Sequence, residues 1–203
     1  MADAYQVVRD FENEIASWAG AKYGVAVESC CAAIFLCLKY IGSDEIIQVP
    51  KYTYPGVPMA VVNSNNRVVF TDKQWQGIYK LSPYPIWDSA LRFKRNMYIK
   101  HSFYCLSFHY KKHLPIGRGG MILTDDRKAR DWFKMARFDG RKEKPLSKDN
   151  ATIIGYNMYM TPEQAARGLA LFEAIKDKEL PDLKVADQNY PDLSNWIVFK
   201  CVI

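Results

Sequence analysis

What the chain lacks already narrows its class. No apolar stretch is long enough to cross a bilayer as a helix, which takes about 20 residues. The N-terminal residues lack the basic and apolar pattern of a secretory signal, so a cytosolic (cytoplasmic) protein is expected. The five cysteines (Cys30, Cys31, Cys37, Cys105 and Cys201) are odd in number and show neither disulfide-framework nor zinc-ribbon spacing. They are expected to be mostly buried small hydrophobes in a reducing compartment. Lysine and arginine exceed aspartate and glutamate by 28 to 22, a net charge of +6. No single basic tract concentrates that charge, which fits an anionic cofactor or substrate and disfavours nucleic acid. There is no internal repeat and no low-complexity tract.

What is present is a core. The 203 residues are 49% hydrophobic and 14% aromatic, enough for one packed domain with at most a small appendage. Residues 4–20 carry Tyr5, Val8, Phe11, Ile15 and Trp18 three or four apart, which predicts a helix stopped by Gly20. A short strand follows at 23–27. Then comes an almost wholly apolar helix with Ser29 as its cap and Gly42 as its stop. Strands at 45–50 and 68–70 flank a helix near 58–63. This alternation predicts an α/β domain with a mostly parallel central sheet and helices on both faces. Ligands in such sheets sit beyond the carboxyl ends of the strands, where Ser29, Tyr54 and Asp72 fall.

Further along, residues 75–84 show no periodicity and read as surface chain, whereas 85–90 read as a buried strand ending in Asp88. Residues 96–101 and 103–108 are expected to add one or two strands, and 119–124 another. A helix over 126–138 takes Asp126 as its cap. Thr161, Pro162 and Gln164 form a strong helix start, with Ala165, Leu169, Phe172 and Ile175 on the buried face. The tail, 196–202, reads as a strand.

Between two apolar runs lies Ser107-Phe108-His109-Tyr110-Lys111-Lys112-His113-Leu114-Pro115-Ile116-Gly117-Arg118-Gly119-Gly120. A hydroxyl, two lysines and a glycine turn at a strand end suit chemistry on an anionic ligand, although a solvated basic hairpin has the same composition. Ser29-Cys30-Cys31 at a helix start could likewise receive a phosphate, or form a reactive thiol pair. His109 and His113, four apart with no supporting helix or carboxylate, read as local polar or packing residues rather than metal ligands.

Taken in order, these segments resemble the DegT/DnrJ/EryC1/StrS sugar aminotransferases, which use pyridoxal 5'-phosphate on the fold-type-I scaffold. The resemblance rests on Ser107, Lys112 and Gly117 at five-residue spacings, followed by Gly119-Gly120. It rests also on Gly155-Tyr156-Asn157-Met158-Tyr159-Met160-Thr161, Lys22 to Val27, Val49-Pro50-Lys51-Tyr52-Thr53-Tyr54, and Arg137-Phe138-Asp139-Gly140-Arg141. It implies that Lys112 forms the Schiff base with the cofactor and shuttles a proton, that Asp88 holds the pyridine nitrogen, and that Tyr54 stacks on the ring. Ser107, Ser29, Cys30 and Cys31 would hold the phosphate, and Asn157 the phosphate of the neighbouring subunit in a homodimer. Arg137, Arg141 and Tyr156 would meet the substrate, a nucleotide-linked keto-sugar aminated from glutamate. A non-catalytic relative that binds the cofactor or a partner is the alternative, with other chemistry on the same cofactor as a third reading.

The chain departs from the family at several points. Cys30-Cys31 replaces Gly-Thr, Leu91 stands where glutamine is common, Arg118 where glutamate is usual, and Tyr159 where arginine is common. The stretch between Asp72 and Trp87 is short. Residues 1–178 then read as a large domain, and 179–203 as the vestige of a small one.

Overall fold

The computed structural model describes residues 3–42 and 44–200. Helix α1 (Gln6–Ala19) ends at Gly20, whose φ of 80° lets its N–H reach back to the carbonyls of Ala16 and Ser17. Strand β1 (Tyr23–Val27) leads into α2 (Cys30–Ile41). There the Ser29 hydroxyl accepts from the Ala32 N–H at 3.1 Å, and Gly42 takes the left-handed conformation that stops the helix. Then come β2 (Ile46–Pro50), α3 (Gly56–Asn63), β3 (Arg67–Thr71), β4 (Tyr79–Leu81), β5 (Ile86–Asp88), β6 (Phe103–Ser107) and β7 (Gly120–Thr124). Helix α4 (Arg127–Ala136) is capped by Asp126, and α5 (Pro162–Glu173) by a complete Thr161–Gln164 capping box. A short α6 (Ile197–Lys200) closes the described chain.

The strands lie in the order β1-β7-β6-β5-β4, and a bridge between Gln48 and Ser82 continues this sheet into the parallel pair β2-β3. Following the pairings across, β1, β6, β5, β2 and β3 run one way, and only β7 and β4 run back. The expected direction of the sheet and its two helical layers are therefore found. On one face α2, α3 and α4 cover Val25, Ile47, Val49, Ile86, Cys105 and Ile122. On the other, α1 and α5 cover Ala26, Tyr104, Leu106 and Met121. Successive strand residues point to opposite faces, so Cys105 and Ser107 look towards α2 while Tyr104 and Leu106 look towards α1. Phe11 and Ile15 of α1 are fully buried, each contributing about 1.5–3 kcal/mol over an exposed position.

Three expectations are corrected. Residues 75–84 do not wander over the surface: they hold β4, with Tyr79 and Leu81 buried, because antiparallel pairing with β5 gives this short segment a place in the sheet. Residues 96–101 form turns rather than a strand. Asn96 and His101 both take positive φ, and the Asn96 and Tyr98 N–H groups bond to the end of α1 instead of to a strand. The tail over 196–200 is a helical turn, since Trp196 and Phe199, three apart, stack together while Phe199 packs against Phe70. Cys201 and Val202 lie outside the described residues.

Candidate active site

Strand register builds the floor of the site. Tyr79 pairs with Asp88, and Asp88 with Cys105, so the three lie side by side at the edge where five strands end. Helix α2 starts at the same edge. Its Cys30 Sγ lies 3.8 Å from Asp88 Oδ1 and 3.6 Å from the Cys105 carbonyl, and Cys37, two turns on, brings its Sγ to 3.9 Å from that of Cys105. Gly120 of β7 is pressed against the helix start: a Cβ there would meet the Ser29 carbonyl carbon at 2.4 Å. Gly120 also pairs with Ser107, so Ser29 and Ser107 sit at one corner.

Asp88 is the buried charge of this floor. It accepts from the Ala90 N–H at 2.9 Å and from the Tyr79 hydroxyl at 2.8 Å. The Tyr79 hydroxyl also meets Thr53 Oγ1 at 2.8 Å. Burial raises the Asp88 carboxyl above its ordinary range despite these donors. Burial also pushes Cys31 up to about 12 and Cys30 well above the usual thiol value. Both shifts oppose thiolate formation, which favours packing groups over a reactive pair.

Lys112 and Lys111 part company in the turn after β6. Lys111 is exposed, its Nζ 5.7 Å from the centre of the Tyr110 ring. Lys112 turns inward, where its Nζ donates to Gln188 Oε1 at 3.3 Å. Desolvation lowers its affinity for a proton, with the Asp88 charge acting against that trend. The turn itself needs Gly117, at φ 117°, whose N–H bonds to the Phe108 carbonyl. The His109 ring lies tilted against that of Tyr110, and His113 Nε2 meets the Pro181 carbonyl at 2.8 Å. Among the described residues no cluster of three or more histidine, cysteine, aspartate or glutamate side chains is placed to hold a metal ion.

The remaining sequence-derived residues divide. Tyr54 is exposed at the rim, its ring beside Gly56 close to Cys31 Sγ. Asn157 is exposed and its Nδ2 lies 3.4 Å from Asp139. Tyr156 packs edge-on against Phe35 of α2. Arg141 lies over the Phe138 ring. Arg137 is not brought to the site at all. It is 1% exposed, bonded to Glu12 and to the Ala26 carbonyl, and paired with Glu143 at 2.9 Å. Arg118 bonds to Glu28 at 2.6 Å.

Three residues here carried no signal in the sequence. Tyr79 holds Asp88 and is itself bonded to Thr53. Gln188 and Tyr190 arrive from the tail, Tyr190 stacking on Trp75 at 6.4 Å with an interplanar angle of 18°. Burial raises the Tyr190 hydroxyl, as do the neighbouring Asp88, Cys30, Tyr54 and Cys31.

The profile of the DegT/DnrJ/EryC1/StrS aminotransferase family matches residues 1–83 and 99–186. The chain belongs to this family. The unmatched interval between the two segments contains Asp88, which geometry alone puts beside the other residues. Spore coat polysaccharide biosynthesis protein SpsC of Bacillus subtilis (strain 168) is 25% identical over 226 residues, covering 85% of this chain and 58% of that protein. The AtS13 structure from Actinomadura melliaura superposes with a TM-score of 0.72 at 19% identity, over 86% of this chain and 61% of that one. Helicobacter pylori PseC, an aminotransferase involved in the biosynthesis of pseudoaminic acid, gives 0.67 at 15%, over 83% and 57%. The fold is thus that of sugar aminotransferases, and the chain spans less than two thirds of the length of these relatives.

Proposed function

We propose that the chain is a pyridoxal 5'-phosphate-dependent aminotransferase that transfers an amino group, from glutamate, to a nucleotide-linked keto-sugar. The observation that carries this reading is the inward, desolvated Lys112 sharing a strand edge with the fully buried Asp88. The residues present fit the coenzyme group by group. An amine meets its aldehyde, a carboxylate its ring nitrogen, and a helix start its phosphate. When bound, the coenzyme supplies the electron sink that lets an amino group change carbons.

Burial lowers the proton affinity of Lys112 Nζ, which suits it to attack a carbonyl carbon and then to hold and return a proton. Asp88 would hold the ring nitrogen of the coenzyme, whose positive charge would offset what burial of the carboxylate costs. The N–H groups of Cys30 and Cys31 open α2 and have no acceptor within the helix; with the Ser29 and Ser107 hydroxyls they would hold the phosphate. Tyr54 stacks at the rim. Asn157, exposed, reaches the phosphate held by a second copy in a homodimer, and Arg141 is left as the arginine contact for an acidic substrate. Residues 1–178 act as the large domain, and 179–203 as an appended segment.

Reduction with borohydride after incubation with pyridoxal phosphate, followed by peptide mapping, tests this reading. The label is expected on Lys112 and not on Lys111, with about one equivalent of 2-oxoglutarate formed from glutamate per site. No label on Lys112 overturns it. The withdrawal of Arg137 from the site into a buried ion pair favours a second reading, a cofactor-binding relative without turnover. In that case the label forms and no 2-oxoglutarate appears.

A further inference from the structure

Residues 181–193 have no part in the chemistry proposed above, yet they cross the site and are fastened on both sides of it. On one side Arg92 grips Asp182 through Nη2 at 2.6 Å and Nε at 3.0 Å, with Lys94 at 3.2 Å. The Leu183 N–H bonds to the Leu91 carbonyl at 2.9 Å, and the Leu183 carbonyl accepts from Gln76. On the other side the Leu193 N–H bonds to the Lys51 carbonyl at 3.0 Å, its side chain is fully buried, and Asp192 pairs with Lys51 at 3.2 Å. Between these moorings a single 3-10 turn, Ala186–Gln188, ends on Asn189 in the left-handed region. The turn delivers Gln188 to Lys112 and is followed by Tyr190 against Trp75.

We infer that Gln188 is a positioning residue for the reaction proposed at Lys112, and that the doubly moored strap is the device that carries it there. An amide oxygen that accepts one N–H of an uncharged amine fixes the direction of the lone pair. Gln188 is itself oriented, because its Nε2 donates to the Lys184 carbonyl at 3.4 Å. Mooring on both sides removes most of the freedom that seating the glutamine would otherwise cost. The family match ends at residue 186, two residues before Gln188.

The inference rests on Lys112 being the reactive lysine, and the test separates the two. Asp88 on β5, Cys30 on α2 and Lys111 on its own turn act on Lys112, which in turn lowers His109 and His113 beside it, and Tyr190 on the strap lies near Asp88 and Cys30. The measurement is the pH midpoint for reductive trapping of pyridoxal phosphate on Lys112, read by peptide mass spectrometry. Gln188→Glu places a carboxylate at hydrogen-bond distance from Nζ and should raise the midpoint by about one pH unit or more. Gln188 is only half-buried, so the fold accommodates the new charge. Ala186→Glu adds the same charge at an exposed position of the same turn and should leave the midpoint in place. Equal midpoints for the wild type and Gln188→Glu overturn the inference while the Lys112 assignment stands. Absence of label on Lys112 in the wild type overturns the assignment and the inference with it.

Discussion

Tyr79 and Asp88 face each other across two paired strands, and the tyrosine donates its phenolic proton to Oδ2 at 2.8 Å. Both are sealed from water, and Thr53 completes the chain. Tyr79→Phe strips one oxygen of a buried carboxylate of its donor. It should cost roughly 1–3 kcal/mol in urea denaturation, with Thr53→Val costing less. Equal stability of the wild type and Tyr79→Phe would show that water replaces the hydroxyl.

The Asp88 charge is a liability to the empty fold. Burial raises its folded pKa, so the folded state holds a proton that the unfolded state releases. Stability conferred by that proton is present in acid and is lost as pH rises from the ordinary carboxylate range through the raised value. Asp88→Asn removes this titration, while the Tyr79 hydroxyl can turn to accept from the new amide and donate to Thr53. Its melting temperature without coenzyme should therefore exceed that of the wild type at neutral pH, the gap closing in acid. A gap independent of pH would contradict this origin, and cofactor retention should fall in the variant.

Lys112→Ala should abolish covalent retention of pyridoxal phosphate, and Lys111→Ala should leave it within about twofold, because only Lys112 faces inward. Comparable losses in both variants would mean that the turn is held differently in solution.

Arg137 is a structural cation. Arg137→Ala leaves Glu12 (2% exposed) without its buried partner, although Lys134 remains at 3.2 Å. Such a removal costs about 3–5 kcal/mol. Thermal unfolding should shift sharply, and Glu12→Gln should give a smaller loss. A folded Arg137→Ala protein of wild-type stability with a raised KM for the sugar nucleotide would instead make it a substrate contact.

Gly120→Ala drives a Cβ into the backbone of Ser29. The start of α2 has to move, so phosphate affinity and stability should fall together, whereas Gly42→Ala, with open space around it, should touch stability alone.

Much of this was readable wherever a local signal sufficed. Ser29 and Gly42 bracket α2 and the Thr161–Gln164 box starts α5, whereas Asp88 reads locally as a strand-end turn residue and takes a role only from the family resemblance. The turn at Lys112 lay between two apolar runs that both form strands, although their antiparallel pairing was not foreseen in a mostly parallel sheet. What escaped was set by partners far along the chain. Tyr79 belongs to a three-residue strand that exists only because β5 pairs with it. Arg137 ends a helix, as a surface arginine would, and is sealed by Glu12 from 125 residues away. The tail has no periodicity; Arg92 and Asp182, 90 residues apart, give it its course.

The common direction of β1, β2, β3, β5 and β6 also leaves the molecule with a chemically quiet end. His101, 90% exposed, sits there just before β6, its N–H held by Asp125 at 3.0 Å just after β7. A fluorophore or surface tether attached at residue 101 would be separated from Lys112 by the full length of a strand. The protein could thus be immobilised or labelled with its opposite rim open to solution.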